Sequence, residues 1–159
     1  MLKSILPRAN AGLIALLIIP FIGLSYAFKL KTGEKEWLDW SNKCLSESFD
    51  PAADVKLKKY EITLTEDHFL RLRKTYQHGK QEYFSFRLNK LDSIKYLGET
   101  TPGQLQFKTI ADDIIVQTYE DPKGDIDSMA TILDIPVKGM SAARVDSLNE
   151  AIKFLKNNK

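Results

Sequence analysis

One cysteine in 159 residues excludes a good deal of chemistry. Cys44 has no partner for an intramolecular disulfide, and it cannot build a cysteine-based zinc cage. Histidine is nearly as scarce. His68 and His78 both fall at strand or turn edges, neither at a known spacing from a serine, cysteine or acidic partner, and both read as exposed polar residues. A net charge of +2 is too small to imply a polyanion partner, and no basic ribbon with stacking aromatics points to nucleic acid. The chain has no internal repeat and no low-complexity tract. No nucleophile, general base or metal-ligand constellation emerges, so the reading is a protein that is not an enzyme and needs no cofactor or metal.

What is present begins with an apolar run. Between Arg8 and Lys29 lie 20 residues without a charge, Ala9 to Phe28. As a helix they would span roughly 30 Å, the thickness of a bilayer's hydrocarbon core. The same stretch also fits a secretion signal: Lys3 and Arg8 give a basic start, Leu13 to Leu24 an apolar centre, and Ser25-Tyr26-Ala27 a small-x-small cleavage site. Lys29 and Lys31 directly after it oppose translocation, which favours a retained single-pass membrane anchor through residues 9–28. The alternative is an exported domain with residues 1–27 removed. The positive-inside count, Lys29, Lys31, Lys35 and Lys43 against Lys3 and Arg8, leans towards a cytoplasmic domain, whereas a short basic N-tail that stays inside sends the rest out, so the side of the membrane is open.

Residues 29–55 form a linker with a short helix, "EKEWLDWSNKCLSESF", with Glu34 and Glu36 in the first turn, where the helix dipole favours acids. Trp37, Trp40, Cys44 and Leu45 share a face that packs on the following domain. "DPAAD" then turns the chain. From Lys56 the periodicity changes to alternation. "KYEITLT", "FLRLRK", "EYFSFRL", "SIKYLG", "QLQFKTI", "DDIIVQTYE" and "DSMATILDIPV" read as seven strands, separated by turns such as His78-Gly79, Pro102-Gly103 and Asp121-Pro122-Lys123-Gly124. Pro136 falls near the end of the last one, where a lost ladder bond is tolerated. The chain ends in an amphipathic helix with Ser141 as N-cap and Val145, Leu148, Ile152 and Leu155 on one stripe.

Seven antiparallel strands followed by one helix resemble the pleckstrin-homology-like fold over about residues 56–158. The resemblance implies an α+β, mainly β domain at 56–159: a seven-stranded, partly open barrel capped by the C-terminal helix. It also gives a prior for binding rather than catalysis.

Charge is unevenly spread. Residues 56–95 hold ten basic side chains against five acidic, whereas residues 99–134 hold eight acids against Lys108 and Lys123. In pleckstrin-like domains that bind phosphoinositides, basic residues around the first two strands grip phosphate. Lys59, Arg71 and Arg73 are similar to that arrangement and are the candidate contacts to anionic lipid, although Glu66 and Asp67 occupy the intervening turn. The acidic "EDPKGDID" loop lacks the spacing of a calcium loop and reads as a solvated turn. The expectation is a membrane-tethered module for a protein or peptide partner, bound by strand addition, with a small ligand or anionic lipid as the alternative.

Overall fold

The computed structural model describes residues 33–98 and 102–157. The apolar run at 9–28, with its anchor-or-signal question, lies outside the described residues, and among these no helix is long and apolar enough to cross a membrane. Helix α1 covers 33–48. There follow β1 (Leu57–Leu64), β2 (Phe69–Tyr76), β3 (Gln81–Arg87), β4 (Leu91–Leu97), β5 (Gly103–Thr109), β6 (Ile114–Tyr119), β7 (Asp127–Ala130), β8 (Ile132–Val137) and helix α2 (Ala142–Asn157). The fold is α+β and mainly β.

The strands pair antiparallel in two sheets, ordered β1-β2-β3-β6-β7 and β4-β5-β8. Two corrections to the sequence reading follow. The sheets are not closed into a barrel, so α2 does not plug one. And the described residues form eight strands, because "DSMATILDIPV" leaves one sheet at Ala130 and enters the other at Ile132. The hinge is Thr131, whose carbonyl accepts hydrogen bonds from the Thr109 backbone N–H (2.9 Å) and from its hydroxyl (3.1 Å). Two other segments change sheet beside it, the short 3-10 turn Leu88–Lys90 and the loop 110–113. They are stitched together: Ile110 N–H donates to the Lys90 carbonyl, Lys90 Nζ lies 3.3 Å from Asp113, and the Thr131 hydroxyl donates to Asp112. Strands that switch sheets through a bend make the corner of such a two-sheet packing.

Alternation explains the core. On β2 Leu70 and Leu72 are fully buried while Arg71 and Arg73 are exposed, and Ile62 and Leu64 repeat this on β1. Phe86 of β3 and Phe107 of β5 meet between the sheets, with ring centroids 5.9 Å apart. Each fully buried side chain of this size contributes about 1.5–3 kcal/mol of transfer free energy. The α2 stripe is buried as its spacing requires, including Val145, Leu148, Ile152 and Leu155, and the Ser141 hydroxyl accepts from the Arg144 N–H. Trp37 and Trp40 of α1 are half-buried, and Trp37 lies 6.3 Å from Phe154 of α2, so this face does pack on the domain.

Two strand edges are closed by neighbouring chain. Asn42 of α1 acts like a short piece of strand beside β1: its amide donates to the Leu64 carbonyl (2.9 Å) and its oxygen accepts from Leu64 N–H (2.6 Å). Phe49 bridges Val137 at the outer flank of β8, with Asp50 N–H on the Pro136 carbonyl and Lys138 N–H on the Ser48 carbonyl. Because the carbonyl of Pro136 faces this flank, so does its missing N–H, and the ladder to β5 loses nothing.

Candidate functional site

β4 is an edge strand, paired with β5 on one flank. Leu91 is buried, Ile94 half-buried against the core, and Asp92 and Lys95 exposed. Its other flank faces α2, where Lys156 Nζ donates to the Leu91 carbonyl at 2.6 Å. Beyond that contact strand and helix part to leave a groove of about 430 Å³. Leu91, Ile94 and Ile152 contribute apolar lining, and Ser93, Asn149 and Lys153 polar lining. The site exists because the 3.6-residue stripe of α2 must bury Leu148, Ile152 and Leu155, which carries the helix alongside an unpaired strand. An edge strand beside an apolar furrow can take one more strand, since its backbone donors and acceptors point outward and alternate side chains of a guest can enter the furrow.

The outer face of the five-stranded sheet is a second candidate. Lys59, Arg71 and Arg73 share it, as alternation required: Glu61 pairs with Arg73, Thr63 with Arg71, and Lys59 with Thr75. A shallow depression of about 270 Å³ lies there, lined by Glu61, Thr63, Thr65, Arg71, Arg73 and Tyr83. Arg71 is 3.9 Å from Asp67, whose carboxyl is held below the usual range chiefly by the Thr65 hydroxyl. Lys59 and Arg73 form no ion pair among the described residues. Arg87 joins the same face because it pairs with Phe69. The sequence reading missed Arg87 as a site residue, although its parity with Tyr83 and Ser85 in "EYFSFRL" carried the signal.

Lys74 and Lys80, also within 56–95, are held by acidic partners. Lys74 points inward, 7% exposed, with its ammonium 2.7 Å from Asp54 and over the Phe49 ring at 6.0 Å. Lys80 lies 3.0 Å from Glu82 and 2.9 Å from Asp121, which hold it charged above its ordinary range. Tyr76 donates to Glu82 at 2.9 Å, and burial, then that carboxylate, push its phenol upward.

His68 corrects another expectation. It is buried, not exposed, in a left-handed conformation (φ 61°) at the β1–β2 turn, and its carbonyl accepts from Leu88 N–H. His78 is exposed. Cys44 is buried at 1% exposure, where Arg144 Nε donates to its sulfur at 3.3 Å and Arg144 also pairs with Glu47 at 2.8 Å. In the acidic loop Asp121 and Asp125 accept from the turn's own backbone N–H groups, as a tight turn requires. Among the described residues no three His, Cys, Asp or Glu side chains gather at metal-binding distances.

Compared with known protein families, with characterised proteins and with solved structures, the chain finds no match.

Proposed function

We propose that this domain is a non-enzymatic interaction module that binds an extended peptide segment of a partner protein by strand addition to β4. The observation that carries the reading is the groove between the open flank of β4 and α2. The other long edge of comparable accessibility, β1, is blunted by Asn42, and the free flank of β7 belongs to a strand of four residues. Strand addition draws affinity from main-chain hydrogen bonds and selectivity from side-chain pockets. Here Ile94 and Ile152 favour an apolar guest side chain, and Asp92, Glu150 and Lys153 make the rim polar with both signs of charge. In this reading the pleckstrin-like element order is a likeness of sequence pattern, and residues 9–28 tether the module to a membrane.

The test uses the full chain in detergent micelles or nanodiscs. A display library of random linear peptides is selected on it, and binders are measured again on Asn149→Trp, which fills the groove from α2. The reading expects apolar-centred binders that lose at least tenfold in affinity on Asn149→Trp but not on Arg71→Glu. Binders indifferent to Asn149→Trp, or no binders at all, would refute it.

A further inference from the structure

We infer that the outer face of the five-stranded sheet is a surface that docks on an anionic bilayer, with basic side chains at its β1–β3 end and exposed apolar ones at its β6–β7 end. This goes beyond the peptide groove, which belongs to the other sheet. The strand register carries the argument. Lys59, Arg71, Arg73 and Arg87 all project from the outer face, because each pairs with a residue of the same parity on the neighbouring strand. Glu61 and Asp67 are the acids near them. The same register continues through Ser85 to Ile115 and on to Met129, through Tyr83 to Gln117 and on to the exposed Asp127, and through Gln81 to Tyr119. Met129, on the edge strand β7, is 52% exposed, and Tyr119, at the end of β6, is 42% exposed, so this end of the face offers apolar side chains to a neighbouring surface.

A cationic end and an apolar end on one face match the two parts of a membrane interface. Lysine and arginine meet headgroup charge, while aliphatic side chains and a tyrosine ring enter the boundary with the acyl chains. A single-stranded nucleic acid would instead stack its bases on aromatic faces beside the basic side chains. There Arg71 and Arg87 already sit over the Phe69 ring, at 5.4 and 5.0 Å from its centroid, Tyr83 is half-buried, and the exposed Tyr119 stands apart on β6. The observations therefore favour a lipid surface.

The full chain is reconstituted in vesicles of phosphatidylcholine alone, or with roughly one-third phosphatidylserine, using brominated acyl chains as quencher. A fluorophore is placed on Gln117→Cys in the outer face, with Asp134→Cys on β8 as the comparison; Cys44 is buried and stays unlabelled. The inference expects quenching at position 117 in the anionic vesicles, little at 134, and relief by added salt. Arg71→Glu with Arg73→Glu and Arg87→Glu should abolish it, and Met129→Asp, which leaves the four basic residues in place, should weaken it at least threefold. Near-ultraviolet circular dichroism checks that each variant is folded. Equal quenching in neutral vesicles, quenching at 134 instead of 117, or indifference to both variants would overturn the inference. So would displacement of the label from lipid by a single-stranded oligonucleotide.

Discussion

Asp121 is a carboxylate whose geometry makes a pH prediction. One oxygen accepts from the Lys123 N–H at 2.9 Å and the other lies 2.9 Å from Lys80 Nζ. The backbone N–H first, and Lys80 second, hold its carboxyl below the ordinary value. Arg144 does the same for Glu47, and the Thr65 hydroxyl for Asp67. Since the folded value is the lower one, each carboxylate adds stability that is complete above its unfolded pKa of about 4 and is lost as pH falls through the folded value. The melting temperature should therefore drop as pH falls below about 4, and Asp121→Asn should lower it at neutral pH while making the acid decline shallower. Circular dichroism melts across pH measure both; an acid decline as steep in Asp121→Asn as in the parent would remove Asp121 from the account. Residue identities were legible in sequence where alternation spoke, as at Arg71 and Arg73. His68 was not: "TEDHF" gives no local sign that its turn tucks under Leu88.

At the scale of elements, α1 has a role that its sequence announced only in part. Its apolar face was readable in Trp37, Trp40, Cys44 and Leu45, of which Cys44 and Leu45 are buried and the tryptophans half-buried; Leu38, which was not read as part of that face, is buried too. That Asn42 would hold the edge of β1 was not readable, because a polar residue on the flank of an amphipathic helix looks like any solvated one. Removing it leaves the Leu64 N–H and carbonyl without their partner in a half-buried place. Asn42→Ala should cost about 1–3 kcal/mol, read from urea denaturation of the full chain, while leaving the peptide groove intact. A cost below a few tenths of a kcal/mol would mean that water replaces the amide freely. The missed strand has a comparable origin. Along "DSMATILDIPV" the parity of Met129, Leu133, Ile135 and Val137 never breaks, yet Met129 faces outward on one sheet while Leu133 faces the core on the other. Unbroken alternation hides a change of sheet.

At the scale of the whole molecule, the order β1-β2-β3-β6-β7 with β4-β5-β8 depends on which distant strands pair, and local pattern does not encode that. The mainly β content, the C-terminal helix and the core stripes were therefore legible, whereas the sheet partition, and with it the open arrangement that leaves α2 no barrel to cap, was not. The groove follows from that partition, since it needs β4 on an edge and α2 beside it. If the groove takes a strand, a bound peptide must protect backbone that is open to water in the free protein. Amide hydrogen exchange of the full chain, resolved by residue, with and without a peptide recovered in the display selection, measures this directly. The account predicts that alternate amides within Ser93–Leu97 exchange at least tenfold more slowly when peptide is bound, while those of β7 are unchanged. Unchanged exchange along β4, or slowing that falls on β7 instead, would contradict it.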